Sequence, residues 1–170
     1  HYPEGATFEV DIPEGMSVPD MVDNSVKLYS KKPALIFYGR EITFAQIKEL
    51  IDRFATALAD LGLKKGDTVA LYLLNCPQYV IAYFATLKLG AKVTPISPVY
   101  TSHEIKHQLE DSDATFLVCQ DILYDNAERS GVKMKHVIVT SVLEYLPKMK
   151  KLLGKSLLGK DYANLHVPTR

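Results

Sequence analysis

The chain has 170 residues, about the length of one domain and enough to bury roughly two thirds of its unfolded surface in a single core. Its 20 basic and 20 acidic residues cancel, so the overall charge gives no reason to expect nucleic acid or an acidic partner. Cys76 and Cys119 form no Cys-x-x-Cys pair, which argues against a disulfide framework and against a thiolate zinc site. We expect both thiols to be buried and inert.

The first helix is predicted to begin after Ser17, which forms a capping-box pattern with Asp20. Pro33 marks the end of this helical pattern. The apolar residues that share one broad face of the helix are Val18, Met21, Val22, Val26 and Tyr29. We therefore expect this face to pack against the rest of the domain.

A hairpin and a second helix are predicted next. Two short apolar strands flank Gly39-Arg40, which is expected to supply the hairpin turn. Thr43 and Gln46 form a second capping box, and Gly62 is expected to end the following helix in a left-handed conformation. The apolar positions that recur at helical spacing are Phe44, Ile47, Leu50, Ile51, Phe54, Leu58 and Leu61.

From residue 67 onward, apolar runs alternate with helical patterns. The predicted elements are a strand at 68–74, a helix at 77–89, a strand at 92–97, a helix at 102–111, a strand at 115–119, a helix at 121–130 and a strand at 136–140. Near-continuous apolar strands fit a sheet that is covered on both faces, and helix-length connections imply parallel pairing. The predicted fold is α/β, with a doubly wound, mostly parallel sheet, helices on both faces and a short N-terminal hairpin.

Two segments were candidates for a signal peptide or a membrane span, and they bear on the expected cellular location. The first eleven residues are polar and acidic, unlike the basic start and apolar stretch of a signal peptide. Residues 69–87 carry no charged side chain, but the sequence Asn-Cys-Pro-Gln at 75–78 interrupts them, and Pro77 suits the first turn of a helix. A buried strand followed by a helix is therefore expected here instead of a membrane span. These features predict a cytoplasmic protein.

Residues 103–107, His-Glu-Ile-Lys-His, match the pattern of a zinc protease helix, in which two histidines bind Zn²⁺ and the glutamate activates a water. However, Glu104 also forms a capping box with Thr101, which would engage its carboxylate with the backbone. His103 and His107 would project into solvent, opposite the apolar side of the helix. Because no other residue is placed as a third ligand, we expect no zinc site, and a zinc hydrolase is a minor alternative.

Residues 146–160 differ from the rest in composition. They contain no acidic residue and five lysines: Lys148, Lys150, Lys151, Lys155 and Lys160. At helical spacing, an apolar arc opposite most of these lysines would consist of Leu143, Leu146, Met149, Leu152, Leu153 and Leu157. The preferred interpretation is a surface helix that packs this arc on the domain, and the alternative is peripheral contact with anionic lipid.

Two segments resemble the core motifs of a known superfamily. Residues 42–50, Ile-Thr-Phe-Ala-Gln-Ile-Lys-Glu-Leu, resemble the first motif of the adenylate-forming enzymes, which include acyl-CoA ligases, luciferases and the adenylation domains of peptide synthetases. Residues 87–95, Leu-Lys-Leu-Gly-Ala-Lys-Val-Thr-Pro, resemble the second motif. Residues 66–70 and 75–79 fall where these enzymes have a strand and a turn, so the resemblance extends in order over about residues 20–140.

The resemblance implies an ATP-dependent, AMP-forming ligase that uses ATP, Mg²⁺ and CoA. A carboxylate attacks ATP to give an acyl-adenylate, and the CoA thiol then displaces AMP. Residues 145–153 are more similar to long-chain fatty acyl-CoA ligases than to luciferases or aryl ligases, which implies a medium- to long-chain fatty acid as substrate. The implied partners are fatty acid, ATP and CoA, with no nucleic acid.

The resemblance also implies that residues 1–170 form the N-terminal part of the large N-terminal domain of such an enzyme. The core would span about residues 17–145, with 146–170 as a basic tail. The phosphate-binding loop that ends in Pro-Lys-Gly, and the C-terminal domain with the catalytic lysine, do not occur in these residues. We therefore expect these residues alone to form no acyl-adenylate and to bind none of ATP, Mg²⁺ and CoA tightly.

No catalytic, cofactor-binding or metal-binding residue is assigned from the sequence. Thr43 and Gly90 suit the start and the end of helices, and none of the matched motif positions is an acid, a base or a nucleophile. Lys88 is expected to interact with the dipole at a helix C-terminus rather than with a CoA phosphate. The alternative function is a stand-alone, non-catalytic α/β binding or interaction module. If the chain is instead part of a larger domain, exposed apolar surface would favour self-association.

Overall fold

The structure is a computed structural model that describes residues 14–147 of the chain. The helices are α1 (Val18–Tyr29), α2 (Phe44–Asp60), α3 (Pro77–Lys88), α4 (Ser102–Asp111) and α5 (Tyr124–Glu128). The strands are β1 (Pro33–Phe37), β2 (Arg40–Thr43), β3 (Thr68–Tyr72), β4 (Lys92–Pro95), β5 (Ala114–Gln120) and β6 (His136–Thr140). Two short 3₁₀ turns lie at Asp121–Leu123 and Val142–Tyr145.

The main sheet has four parallel strands in the order β4-β3-β5-β6. Alternate residues of β3 enter two different cores: Val69 and Leu71 pack with α2 and α3, whereas Ala70 and Tyr72 pack with α4 and α5. The strand is therefore buried on both faces, which explains why its sequence is continuously apolar. The predicted doubly wound α/β fold is confirmed, and β1 and β2 form the predicted antiparallel hairpin.

Three helices begin with the capping boxes that the sequence predicts. At the start of α2, the backbone N–H of Thr43 donates to the Gln46 side chain at 2.9 Å, and the Gln46 N–H donates to the Thr43 hydroxyl at 3.3 Å. Ser17 with Asp20 and Thr101 with Glu104 form the same reciprocal pair at α1 and α4. Each pair satisfies N–H groups that a helix start would otherwise leave unbonded.

The hairpin turn lies one residue earlier than predicted. Tyr38 and Gly39 are its two central residues, with φ angles of 50° and 88°, and Phe37 pairs with Arg40 across the ladder. A two-residue turn whose central residues both have positive φ matches the right-handed twist of the flanking strands. Gly39 therefore takes the second central position, and Arg40 begins β2.

Helix α1 is less buried than its apolar pattern predicts. None of its residues is fully buried, and Met21 keeps 57% of its surface exposed. Val22 packs against the core on the side of α2 and α3, so the helix contacts the domain along a narrow line. The predicted apolar face is consequently covered only in part.

The end of the described region corrects the helical pattern predicted from Leu143 onward. Leu143 is buried in a 3₁₀ turn, and Leu146 has an extended backbone with ψ of 146°. Pro147 explains this change, because a residue that precedes proline is disfavoured in the helical region. The lysines of the basic segment, from Lys148 onward, lie outside the described residues.

Candidate functional site

The histidine pair of the zinc hypothesis lies on the outer face of α4. His103 and His107 are exposed, while Ile105 and Leu109 on the other face are buried. Within residues 14–147, no group of three or more His, Cys, Asp or Glu side chains is placed to hold a metal ion. The exposed position of both histidines agrees with the orientation expected from the sequence, and the absence of a zinc site stays a prediction.

The carboxylate of Glu104 serves the helix start. It accepts hydrogen bonds from the Thr101 backbone N–H and the Thr101 hydroxyl, each at 2.8 Å. These bonds, the backbone one first, lower the pKa of the Glu104 carboxyl below its usual value. An ionised carboxylate held in this way caps α4 and is not available as a general base.

Both cysteines are free and buried, as predicted. Cys119 lies on β5, where burial first and the Asp121 carboxylate second raise the pKa of its thiol to about 12. Cys76 lies just before α3, and burial raises the pKa of its thiol although the backbone N–H groups of Tyr79 and Gln78 act in the opposite direction. Because the thiolate is the nucleophile, both groups are poor candidates for covalent chemistry.

We expect neither thiol to react with Ellman's reagent at pH 8 in the native chain, and both to react after unfolding in urea. A pKa of about 12 for Cys119 leaves about one part in ten thousand as thiolate at that pH. Absorbance at 412 nm measures the released product. The variant Thr56→Cys, at an exposed position of α2, should add one thiol that reacts at once. Rapid reaction of the unmodified chain without urea would contradict the burial of Cys76 and Cys119.

Lys88, at the end of α3, forms an ion pair with Asp52 of α2. Asp52 also pairs with Lys48 at 2.8 Å, and Lys48 contacts Asp23 of α1 at 3.0 Å. Burial raises the pKa of the Asp52 carboxyl, but hydrogen bonds from Lys48 and Lys88 outweigh this effect and leave it below its usual value. Lys88 thus links α3 to α2, and Lys48 extends the same charge network to α1. Lys88 also lies in the last turn of α3, as the expected dipole interaction requires.

At the carboxyl edge of the sheet, the connections from two neighbouring strands run in opposite directions across the sheet. β3 and β5 are neighbours, but the connection from β3 runs to β4 on one side and that from β5 runs to β6 on the other. In open α/β sheets, ligands bind in the crevice that forms outside the carboxyl ends of two such strands. A binding site is therefore expected at this edge.

Gln120 ends β5 at this point, with only 1% of its surface exposed. Its side-chain oxygen accepts a hydrogen bond from the backbone N–H of Leu74 at 3.1 Å, which connects β5 to the segment that follows β3. Its side-chain nitrogen has no hydrogen-bond partner among the described residues. Buried amide groups are normally bonded, and this N–H group is a donor at the carboxyl edge that no described residue uses.

The loop after β4 is fixed to the same edge. The side-chain nitrogen of Asn126 on α5 donates to the Tyr72 hydroxyl at 3.1 Å and to the Tyr100 carbonyl at 2.7 Å. Gln108 of α4 donates to the Thr94 hydroxyl at 3.1 Å, at the end of β4. Neutral side chains on two helices therefore hold the strand ends and the loop in place.

A groove of about 420 Å³ lies at the ends of β3 and β4; we call it the carboxyl-edge groove. It is lined by Leu73, Leu74, Asn75, Tyr79, Pro95, Ile96, Ser97, Pro98, Tyr100 and Gln108. Its volume is within the range of small-molecule sites, and none of its side chains is charged at neutral pH. The groove can bind apolar and hydrogen-bonding groups, but it offers no acid or base for proton transfer near pH 7.

Two further cavities are lined in part by α2 and α3. One of about 390 Å³ is bounded by α2, α3, β5 and β6, and we call it the α2–α3 groove. The other, of about 350 Å³, lies under α1 and has an almost wholly apolar wall. Sequence reasoning located none of these cavities. The one available signal was Gln120, a polar residue directly after an apolar predicted strand.

The fold defines a class: doubly wound α/β proteins, in which ligand sites form outside the carboxyl ends of the strands. Within that class, the chain belongs to the AMP-binding enzyme family, whose pattern matches residues 22–164. In the part of the chain that the structure describes, no helix is both long enough and apolar enough to cross a lipid bilayer.

Relatives of the chain include long-chain fatty acid ligases. The chain is 35% identical over 180 residues to a long-chain-fatty-acid–CoA ligase of Bacillus subtilis, and the match covers 95% of this chain and 31% of the relative. A ligase of the same description from Escherichia coli O157:H7 is 36% identical over 155 residues, covering 89% of this chain and 28% of the relative. The chain therefore spans about 30% of the length of these relatives.

Solved structures agree with the fold. The crystal structure of a long-chain-fatty-acid-CoA ligase from Archaeoglobus fulgidus superposes with a TM-score of 0.71 at 28% identity, covering 77% of this chain and 28% of that chain. An anthranilate CoA ligase in complex with anthranoyl-AMP gives the same TM-score at 25% identity, covering 75% of this chain and 25% of that chain. The family resemblance noted in the sequence is confirmed.

Proposed function

We propose that the chain is part of an ATP-dependent, AMP-forming ligase that joins a medium- to long-chain fatty acid to CoA. The observation that carries this proposal is the identity of 35–36% to long-chain-fatty-acid–CoA ligases over most of the chain. We further propose that fatty acid, ATP and CoA are its substrates, that the protein is cytoplasmic, and that it binds no nucleic acid.

In the proposed reaction, a fatty acid carboxylate oxygen attacks the α-phosphorus of ATP, and the bond to pyrophosphate breaks. The products are an acyl-adenylate and pyrophosphate. The CoA sulfur then attacks the acyl carbon, its proton is released, and AMP leaves with the electron pair of the broken carbon–oxygen bond. After the second step, the thioester retains part of the free energy that the cleavage of ATP to AMP and pyrophosphate releases.

The described residues contribute the scaffold and a binding surface to this reaction. The carboxyl-edge groove has hydrogen-bonding groups without charge, which suits the orientation of a bound molecule more than the chemistry itself. Mg²⁺ would neutralise phosphate charge in the first step. Residues 14–147 contain no acidic cluster that fits this ion.

The protein expressed from the complete reading frame that contains these residues provides the test. We expect exchange of labelled pyrophosphate into ATP that depends on hexadecanoate or decanoate, and thioester formation when CoA is added. A polypeptide of the 170 residues alone should give neither signal, because its sequence contains no phosphate-binding loop ending in Pro-Lys-Gly. Exchange with benzoate but not with fatty acids would contradict the proposed substrate. Absence of exchange with every carboxylate would favour the non-catalytic module.

A further inference from the structure

Helix α1 is tied to the start of α2 at its C-terminal end. The backbone N–H of Ala45 donates to the Ser30 carbonyl at 3.0 Å, and that of Phe44 donates to the Lys32 carbonyl at 3.1 Å. The Tyr29 ring also lies beside the Phe44 ring, with 6.2 Å between centroids. These contacts hold the last residue of α1 and the link to β1 in place.

The rest of α1 has a much weaker polar attachment. Among the described residues, the ion pair of Asp23 with Lys48, at 3.0 Å, is the one polar contact between residues 14–28 and the remainder of the chain. Lys48 also pairs with Asp52 at 2.8 Å, so it keeps a partner when the Asp23 contact breaks. Both side chains of the pair are partly exposed, and such ion pairs contribute little to stability.

The apolar attachment of α1 is interrupted by the cavity under this helix. Val18, Met21 and Val22 line the cavity on the side of α1, and its other walls include Leu35 of β1 and Ile51 of α2. At about 350 Å³ it exceeds the voids of a close-packed interior, and side chains across such a space lose the attraction of direct contact. Since no residue of α1 is fully buried, docking of the helix removes little apolar area from water.

Helix α4 provides a comparison within the same domain. It has 10 residues against 12 for α1, and both helices begin with a capping box. In contrast to α1, helix α4 buries Ile105 and Leu109 almost completely. Helices of this length are marginal when alone in water, so either would lose its internal hydrogen bonds on detachment. Exchange of backbone amide hydrogens therefore reports how often each helix detaches.

We propose that α1 is a strap that opens as a unit about a hinge at residues 30–32, while the rest of the domain stays folded. Opening breaks the ion pair of Asp23 with Lys48 and exposes the apolar walls of the cavity under α1. The strap thereby controls how much of this apolar surface other molecules can reach.

Hydrogen exchange of the protein expressed from the complete reading frame, followed by mass spectrometry, tests the strap. After correction for intrinsic rates, we expect the amides of residues 22–29 to exchange at least about tenfold faster than those of residues 105–111 in α4. The amides of residues 51–58 in α2 should exchange more slowly than those of α1, because α2 is part of the main core.

A matched pair of variants examines the side of α1 that faces the cavity. Val22→Asn places an amide group against apolar walls, so it should accelerate exchange in α1 about tenfold. Leu28→Asn makes a similar change at a position that is 73% exposed, and we expect less than about a threefold effect. Exchange of residues 51–58 should stay within about twofold in both variants, which also shows that they remain folded.

A second pair examines the ion pair. Asp23→Asn should accelerate exchange in α1 about two- to fivefold, as expected for a partly exposed ion pair. Glu110→Gln, which removes the pair of Lys106 with Glu110 on α4, should leave exchange in α1 unchanged.

Three results would overturn the proposal. The first is equal protection of α1 and α4, and the second is an equal effect of Val22→Asn and Leu28→Asn. The third is acceleration of α1 and α2 by the same factor in Val22→Asn, which would mean that α1 opens only when the whole domain unfolds. None of these measurements uses ligase activity, so the strap is tested independently of the proposed function.

Discussion

Replacement of Phe116 by alanine should lower the free energy of unfolding by about 3–5 kcal/mol. Phe116 lies on β5, between β3 and β6, and its side chain is completely buried. Its ring contacts the His136 ring, with 4.8 Å between centroids, and packs in the core formed with α2 and α3. Alanine would remove the buried ring and leave a cavity that the surrounding strands cannot close. Urea unfolding followed by circular dichroism measures the loss.

Thr115→Ala is the matched control for this change. Thr115 is the preceding residue of the same strand, but its side chain is exposed. We expect it to cost less than about 1 kcal/mol, since only the strand preference of the residue changes. If the two variants lost equal stability, Phe116 would not lie in the core that β5 and α2 form.

Gln120→Glu should lower the free energy of unfolding at pH 7 by about 3–5 kcal/mol. The substitution keeps an oxygen that can accept from the Leu74 N–H, but it places a carboxylate at an almost fully buried position. Asp121, also buried, is the next residue and adds repulsion of like charge. Denaturant unfolding of variant and wild type at the same pH gives the difference.

The pH dependence of that difference has a defined sign. Burial favours the neutral acid, so the introduced carboxyl should have a higher pKa in the folded chain than its value of about 4.3 in the unfolded chain. The destabilisation relative to wild type is therefore smallest below pH 4 and grows as the pH rises through these pKa values. A difference that stayed constant between pH 4 and pH 8 would show that residue 120 is solvated in the native chain.

Gln46→Glu provides the corresponding control. Gln46 is exposed, and its side chain already accepts a hydrogen bond from the Thr43 N–H at the start of α2. A carboxylate is favourable at this capping-box position, where it also interacts well with the helix dipole. We expect stability at pH 7 to be unchanged or slightly higher, so the same chemical substitution should have opposite consequences at the two glutamines.

Elements with strong local signals were predictable from the sequence. The helix at 102–111 and the strand at 136–140 have the predicted bounds, because a capping box and a short β-branched run define them locally. The hairpin turn was placed one residue late, since Tyr38 adopts a positive φ that its side chain gives no reason to expect. The incomplete burial of α1 also depends on what packs beside it, which amphipathic spacing does not reveal.

The candidate site was much less predictable than the fold. The carboxyl-edge groove requires the pairing of β3 with β4, which joins segments about 24 residues apart in sequence, and the packing of α3 and α4 beside those strand ends. Gln120 and Gln78 are ordinary polar residues in the sequence, and only the structure shows that each is buried with one amide atom unbonded. In contrast, the two histidines of α4 form a motif in the sequence but lie in solvent, so local spacing overstated their importance.

The strand order also affects how the protein is made. β3 is the first strand of the main sheet to leave the ribosome, yet both of its neighbours are encoded later, and β5 is complete only at Gln120. At roughly 5–20 residues per second, translation from β3 to the end of β5 takes about 3–10 s. Until β4 is complete at Pro95, the apolar segment from Val69 to Leu74 has no strand partner, and until β5 is complete it has a partner on one side only. An unpaired apolar strand of this kind is prone to aggregate during synthesis.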